Sequence, residues 1–251
     1  MSLTIDTQDL ILLISAAKLT AYSRPDEDGI LSGVYLYTTT GESGDEVGTG
    51  DLLVGVGFDG VTSGQFAVPV SGQLPHPILV PHRDTGWLAA MCNKAKLVAG
   101  KTDKDAEHTV ELVVSGNSLK VTTLTDGEPA DYDVDGRCPI LDTSQYPVSE
   151  ADSKLKSKSL NPSAAVVGNP DALVHVLGQT ALTVMKNAAK VLKHPIRVFP
   201  SAANGGPIVM TDGERWRAVT SVDAYSGGTE GQPDIEPITV PEAPPTSAQT
   251  S

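Results

Sequence analysis

Several residue groups are of types used in catalysis or metal binding, and their spacing decides what they can do. Asp131-Tyr132-Asp133-Val134-Asp135-Gly136, with Asp142 in the twelfth position, follows the start of a calcium loop, in which alternate oxygens converge on a hard cation. The stretch has no helical pattern before it, closes on Asp where Glu is needed for reach, and contains Pro139. Tyr132 and Val134 alternate with acids, which reads as a strand with carboxylates facing water, so no metal site is expected. Ala99-Gly100-Lys101-Thr102 matches the end of a phosphate-binding loop, but Ala95 stands where the first glycine belongs. That motif also follows a helical pattern, whereas such loops precede one. His76, His82, His108, His175 and His194 have no metal-ligand spacing with one another or with Cys92 and Cys138. No Gly-x-Ser-x-Gly elbow is present. Neither enzymatic activity nor a cofactor is expected.

The cations carry a different chemistry. Lys186, Lys190 and Lys193 fall at i, i+4 and i+7, on one helix face, where they suit a row of phosphates. The net charge of −13 argues the other way, because a nucleic-acid footprint is basic. Sorting resolves the conflict. Most of the 18 Lys and Arg lie in four stretches: Lys18 and Arg24; Arg83, Lys94, Lys96, Lys101 and Lys104; Lys154, Lys156 and Lys158; Lys186, Lys190, Lys193 and Arg197. Acids crowd into Asp26 to Asp28, Glu42 to Asp51 and Asp126 to Asp135. One basic and one acidic surface follow from such sorting. Two cysteines in 251 residues form no disulfide framework and fit a reducing cytoplasm. The N-terminal region has no leader pattern and no apolar run long enough to span a bilayer.

Three segments must position these residues, each a helix followed by strands. In the first, 2–73, Ile5 opens a short strand. Asp6 or Thr7 caps a helix with apolar face Leu10, Leu13, Ile14 and Ala17, and strands run over Gly29–Thr38, Asp51–Phe58 and Gln65–Val70. The second, 77–148, has a strand at Ile78–Val80 and a helix near Asp84–Val98 with Trp87, Met91, Ala95 and Val98 on one face. Strands His108–Val114 and Ser118–Thr125 follow, joined by a Ser115-Gly116-Asn117 turn, then another within Asp131–Arg137. The third, 164–226, has a strand at Ala164–Val167 and a helix capped by Asn169 that Gly178 interrupts and Pro195 stops. Strands at Ile196–Phe199, Pro207–Met210 and Arg215–Val222 follow, with a turn at Asp212-Gly213. Residues 149–163 read as a polar linker and 227–251 as a disordered acidic tail.

A strand, a helix and antiparallel strands in this order resemble the half-domain of DNA polymerase sliding clamps. The resemblance is carried by Ile78-Leu79-Val80-Pro81 leading into a helix, by Asn117-Ser118-Leu119-Lys120-Val121, and by Ser144-Gln145-Tyr146-Pro147, with Gln145 where an acid is usual in the bacterial β-clamp family. Pro207-Ile208-Val209-Met210 and Trp216-Arg217-Ala218-Val219 resemble a clamp's closing strands. The resemblance implies an α+β DNA-clamp fold, with helices on one face of curved antiparallel sheets, and residues 1–148 as one domain of two half-domains. Three half-domains are an odd number, suited to a reduced, phage-encoded clamp in a bacterial host cytoplasm. It implies a homo-oligomeric ring around duplex DNA that tethers a replicative polymerase and is placed by a clamp loader. Lys18, Arg24, Arg83, Lys94, Lys96, Lys101, Lys186, Lys190, Lys193 and Arg197 would meet phosphates. Leu141, Tyr146, Val148, Leu155, Val222 and Tyr225 would form the wall of a partner-peptide groove. A β-rich virion or assembly protein, and a clamp mimic that binds replication partners without encircling DNA, are the alternatives.

Overall fold

The computed structural model describes residues 2–22, 32–43, 46–102, 107–128, 134–156, 170–199, 207–213 and 215–221. The first segment forms β1 (Leu3–Asp6), α1 (Thr7–Lys18), β2 (Gly33–Ser43), β3 (Glu46–Phe58) and β4 (Thr62–Gly72). The second forms β5 (Ile78–Pro81), α2 (His82–Thr102), β6 (His108–Ser115), β7 (Ser118–Thr125) and β8 (Asp135–Pro139). After α3 (Val148–Leu155), the third forms α4 (Pro170–Leu192), β9 (Arg197–Phe199), β10 (Pro207–Thr211) and β11 (Trp216–Ser221). The protein is thus mixed α+β, and every strand pairing between these elements is antiparallel.

The first two segments complete each other by exchanging their opening strands. β5 leaves its own segment to pair with β2, Val34 opposite Val80. β1 pairs with β6, Ile5 opposite Val110. The resulting order is β5-β2-β3-β4-β1-β6-β7-β8. The third segment joins by an edge: β11 lies along the first half of β4, Trp216 opposite Phe66 and Thr220 opposite Thr62. The Thr62 hydroxyl donates to Thr220 Oγ1 at 2.9 Å inside this seam.

Each helix forms for a local reason. The Asp6 carboxylate accepts the Gln8 and Asp9 amides at 2.7 and 3.1 Å, satisfying donors at the start of α1. Leu10, Leu13, Ile14 and Ala17 then fall on one buried face, and each large side chain contributes about 1.5–3 kcal/mol by leaving water. The helix sits close to the sheet because Gly57 and Gly64 face it. A Cβ at Gly57 would lie 2.0 Å from the Ala17 carbonyl oxygen, and one at Gly64 2.6 Å from Thr20 Oγ1. The Thr20 hydroxyl uses that proximity to donate to the Gly57 carbonyl at 3.1 Å.

Two apolar layers result. The inner layer packs α1, α2 and α4 on one face of the sheet, with Leu13, Leu88, Cys92, Val184 and Ala188 meeting Leu36, Val68, Leu112 and Trp216. The outer layer covers β2, β3 and β5 with Tyr146 and α3. The long helices therefore share one side, as the repeated order predicts.

Four expectations need correction. Residues 149–163 do not begin as a linker: the amphipathic spacing of Val148, Ala151 and Leu155 folds 148–155 into α3, with all three buried. The helix of the second segment is longer than Asp84–Val98, and its buried face is Leu88, Met91 and Cys92. Trp87 is 39% exposed, its ring lying along Gly136 of β8, where a Cβ would come within 2.7 Å. Gly178 does not interrupt α4, which runs unbroken through it. The turn after β6 is Gly116-Asn117, since Ser115 still pairs with Ser118. The strand expected at Ala164–Val167, the cap at Asn169, the acids Asp131 and Asp133, and the tail 227–251 lie outside the described residues.

Candidate nucleic-acid interface

The helical side of the sheet carries the candidate phosphate contacts. On α4, Ala181, Val184, Ala188 and Leu192 are buried against the sheet, whereas Lys186 and Lys190 are exposed. Helical periodicity requires this split, because residues at i, i+3, i+7 and i+11 share one face and the lysines occupy the other. Lys193, expected on the same helix face as Lys186 and Lys190, instead follows the last turn of α4, exposed and with φ of 57°. Such a left-handed residue ends a helix, a role more often taken by glycine. Arg197 opens β9, exposed, beside the β10–β11 turn: a Cβ at Gly213 would sit 3.5 Å from its Cζ.

α1 and α2 bring a second group together. Lys18 closes α1 and is half-buried, and burial lowers its ammonium pKa. Arg83 lies in the first turn of α2, its side chain 60% exposed and 3.5 Å from the Asp84 carboxylate. Lys94 is exposed further along α2. The α2 backbone carries Lys96 and Lys101, whose side chains lie outside the described ones, as does Arg24 altogether. His82 opens α2 immediately before Arg83 and is half-buried. Its imidazole pKa is lowered by burial and then by the Lys18 charge, which locates the two groups near one another.

An ion pair ties the third segment to this helical layer. Arg215 Nη1 lies 3.0 Å from Asp9 Oδ1. Burial raises the Asp9 pKa, opposed by the Arg215 charge. Packing of α1 against both α2 and α4 accompanies it.

The expected partner wall is gathered on the opposite, outer face, but filled. Tyr146, Val148 and Leu155 are buried with Tyr35, Val54 and Phe58, and Leu141 packs against them half-buried. Tyr146 stacks on Tyr35, ring centroids 5.0 Å apart and planes at 10°. Arg217 Nε donates to the Leu155 carbonyl at 3.0 Å, and Lys154 donates to the Val61 carbonyl. Two of the expected wall residues, Val148 and Leu155, thus belong to α3 itself, which covers the sheet there. Val222 and Tyr225 lie outside the described residues. Among the described residues there is no cluster of metal-ligating side chains. Among them, too, no helix is long and apolar enough to cross a membrane.

No protein-family profile matches the sequence, and no curated protein matches it. Solved structures do match in fold. A Caulobacter crescentus beta sliding clamp superposes with a TM-score of 0.56 at 15% identity, over 90% of this chain and 66% of that one. A Pseudomonas aeruginosa DNA polymerase sliding clamp gives 0.54 at 12% identity, over 88% and 65%. The DNA polymerase III beta subunit of Thermotoga maritima gives 0.51 at 13% identity, over 90% and 65%. The chain thus spans just under two thirds of the length of each of these clamps. The antiparallel sheet with three long helices on one side, shared over nearly the whole described chain, is the sliding-clamp fold.

Proposed function

We propose that the chain is a DNA polymerase processivity factor: a non-catalytic ring that encircles duplex DNA and tethers a replicative polymerase. One observation carries the reading. A protein of net charge −13 exposes Lys94, Lys186 and Lys190 on the helical side of a clamp fold. In the ring, the helices line the hole, and Lys18, Arg24, Arg83, Lys94, Lys96, Lys101, Lys186, Lys190, Lys193 and Arg197 meet phosphates. Such contacts bring no base specificity, so the ring slides, and the tethered polymerase rebinds at high effective concentration. The acidic remainder repels other duplexes.

The ring is a homo-oligomer joined by strand edges. Among the described residues, β8 and β9 each pair on one side only, and a free edge is a template for another strand. A clamp loader places the ring, and the setting is the cytoplasm of a bacterial host serving a phage genome. The partner wall comprises Leu141, Tyr146, Val148, Leu155, Val222 and Tyr225.

The test is retention. Loaded on a closed DNA circle, the protein should remain bound through gel filtration and be lost when the circle is cut. Binding to polymerase without any retention would identify a clamp mimic. Retention on neither DNA form, with no polymerase stimulation, would leave a virion or assembly protein.

A further inference from the structure

The outer face beneath α3 is polar in a way its occupant does not match. Three buried side-chain atoms of the sheet there have no hydrogen-bond partner, Tyr37 Oη, Ser63 Oγ and Gln65 Oε1, and neither does Tyr146 Oη of the segment that covers them. Register places them on one surface. Gln65 is opposite Val56 on β3 and opposite Arg217 on β11, and Ser63 is opposite Phe58. Val56 is in turn opposite Tyr35, the ring on which Tyr146 stacks. Arg217 reaches across this surface to the Leu155 carbonyl. Ser63 and Gln65 are 0% and 4% exposed, so bulk water does not reach them. A buried donor or acceptor without a partner costs free energy that an open groove or a better-matched occupant recovers.

α3 itself is weakly held at its start. Its N-cap is Pro147, and no side chain caps its first amides. It has only eight residues, too few for a helix to be stable without packing. Its contacts are those of a ligand. Val148, Ala151 and Leu155, at i, i+3 and i+7, are buried, the pattern by which amphipathic helices enter grooves.

We propose that α3 is an intramolecular stand-in for a partner peptide, and that the groove beneath it opens to an amphipathic helical segment. That segment presents apolar side chains at i, i+3 and i+7. It also brings an acceptor for the Tyr37 hydroxyl and a donor for Gln65 Oε1, which α3 leaves unmet. The inference deepens the partner surface of the reading above by giving it a cover. It differs in taking Val148 and Leu155 as parts of the cover, with the wall being the sheet behind them. None of its tests involves DNA, so it and the clamp reading fail separately.

The probe is a fluorescein-labelled synthetic peptide of residues 146–156, titrated with the full chain and read by anisotropy. The wild type should bind weakly, because its own helix competes. Leu155→Lys, which undocks α3, should bind at least about tenfold more tightly, since the apparent dissociation constant is the intrinsic one divided by the open fraction. Ala151→Asp should do the same, and a peptide carrying the Leu155→Lys change should bind neither form. Amide exchange on the wild type needs no variant: α3 amides should exchange well before those of β3 and β4. Exchange of α3 only together with β3 and β4 would make it a fixed part of the core and overturn the proposal. Peptide binding to none of the proteins would overturn it as well. If open chains instead pair at rising concentration, with the peptide dissociating the pair, the occupant is the α3 of a second copy and the partner-peptide assignment is wrong.

Discussion

Gly57→Ala is a sharp test of how α1 is seated. The new Cβ would lie 2.0 Å from the Ala17 carbonyl oxygen and 2.8 Å from the Ala21 amide nitrogen and Thr20 Oγ1. Real Cβ atoms essentially never approach closer than 3.0 Å, so the last turn of α1 must retreat by about 1 Å. The obstacle is a helix carbonyl that also accepts from the Thr20 amide and hydroxyl, both at 3.3 Å, so it cannot move alone. Overpacking of this kind costs roughly 1–3 kcal/mol, and losing the Thr20–Gly57 hydrogen bond about 1 kcal/mol. Alanine restricts the unfolded chain, which returns about 0.4–1 kcal/mol. The net loss is about 1–3 kcal/mol, and for a chain of this size each kcal/mol lowers the melting temperature by roughly 2–4 °C. Gly50→Ala is the control: it is exposed, and its Cβ meets nothing within 4 Å. Denaturant melts should show the midpoint of Gly57→Ala reduced at unchanged slope, with Gly50→Ala within about 0.5 kcal/mol of the wild type. Equal stability of the two variants would refute the close seating of α1 and, with it, the position of Lys18 at its end.

Other outcomes follow from the electrostatics. The double reversal Lys186→Glu and Lys190→Glu should leave the melting temperature nearly unchanged, since both side chains are exposed. DNA retention should weaken and its log–log salt slope should flatten by roughly one unit per lost phosphate contact; unchanged retention would remove these lysines from the interface. Burial holds the Asp9 carboxyl above its ordinary 3.8 despite Arg215. The folded state therefore binds this proton more tightly than the unfolded, and stability contributed at Asp9 falls as pH rises through the interval just above 3.8. Asp9→Asn should flatten that part of the pH profile, and identical profiles would contradict the assignment. Burial raises the Cys92 and Cys138 thiols to about 12 and about 11. Neither should react with a thiol reagent at pH 8 until denaturant is added, and rapid native reaction at either would show that its helix–sheet contact opens.

Much of the fold was legible because its signals are local. The cap at Asp6, the 3.6-residue spacing of Leu10, Leu13 and Ala17, and the turn at Asp212-Gly213 depend on neighbours in sequence. The exchange of β1 and β5 did not declare itself, because Leu3 to Ile5 read as a short strand whatever strand they pair with. Trp87 was misread since apolar character does not say which side of a helix meets a sheet; Leu88 and Cys92 fill that side. α3 escaped because two serines, two acids and a lysine make up most of it, and three buried residues in eight are a thin signal. At the candidate interface, the exposure of Lys186 and Lys190 on α4 was readable from spacing, whereas Lys193 lies past the end of the helix and off their face.

The exchange of opening strands also governs how this chain emerges from a ribosome. β1 is made long before β6, one of its two partners, which places Leu3 opposite Leu112, and the Thr7 hydroxyl donates to the His108 carbonyl, 101 positions later. Contacts so distant in sequence make for slow folding, since a large loop must close before they are rewarded. Until β6 is synthesised, the first strand and the apolar face of α1 lack part of their cover. Such nascent surface attracts chaperones and, in their absence, aggregation. Stalling synthesis between β4 and β6 should therefore yield a nascent chain that is readily proteolysed at its N-terminus, and release beyond β8 should bring protection of both halves in a single step.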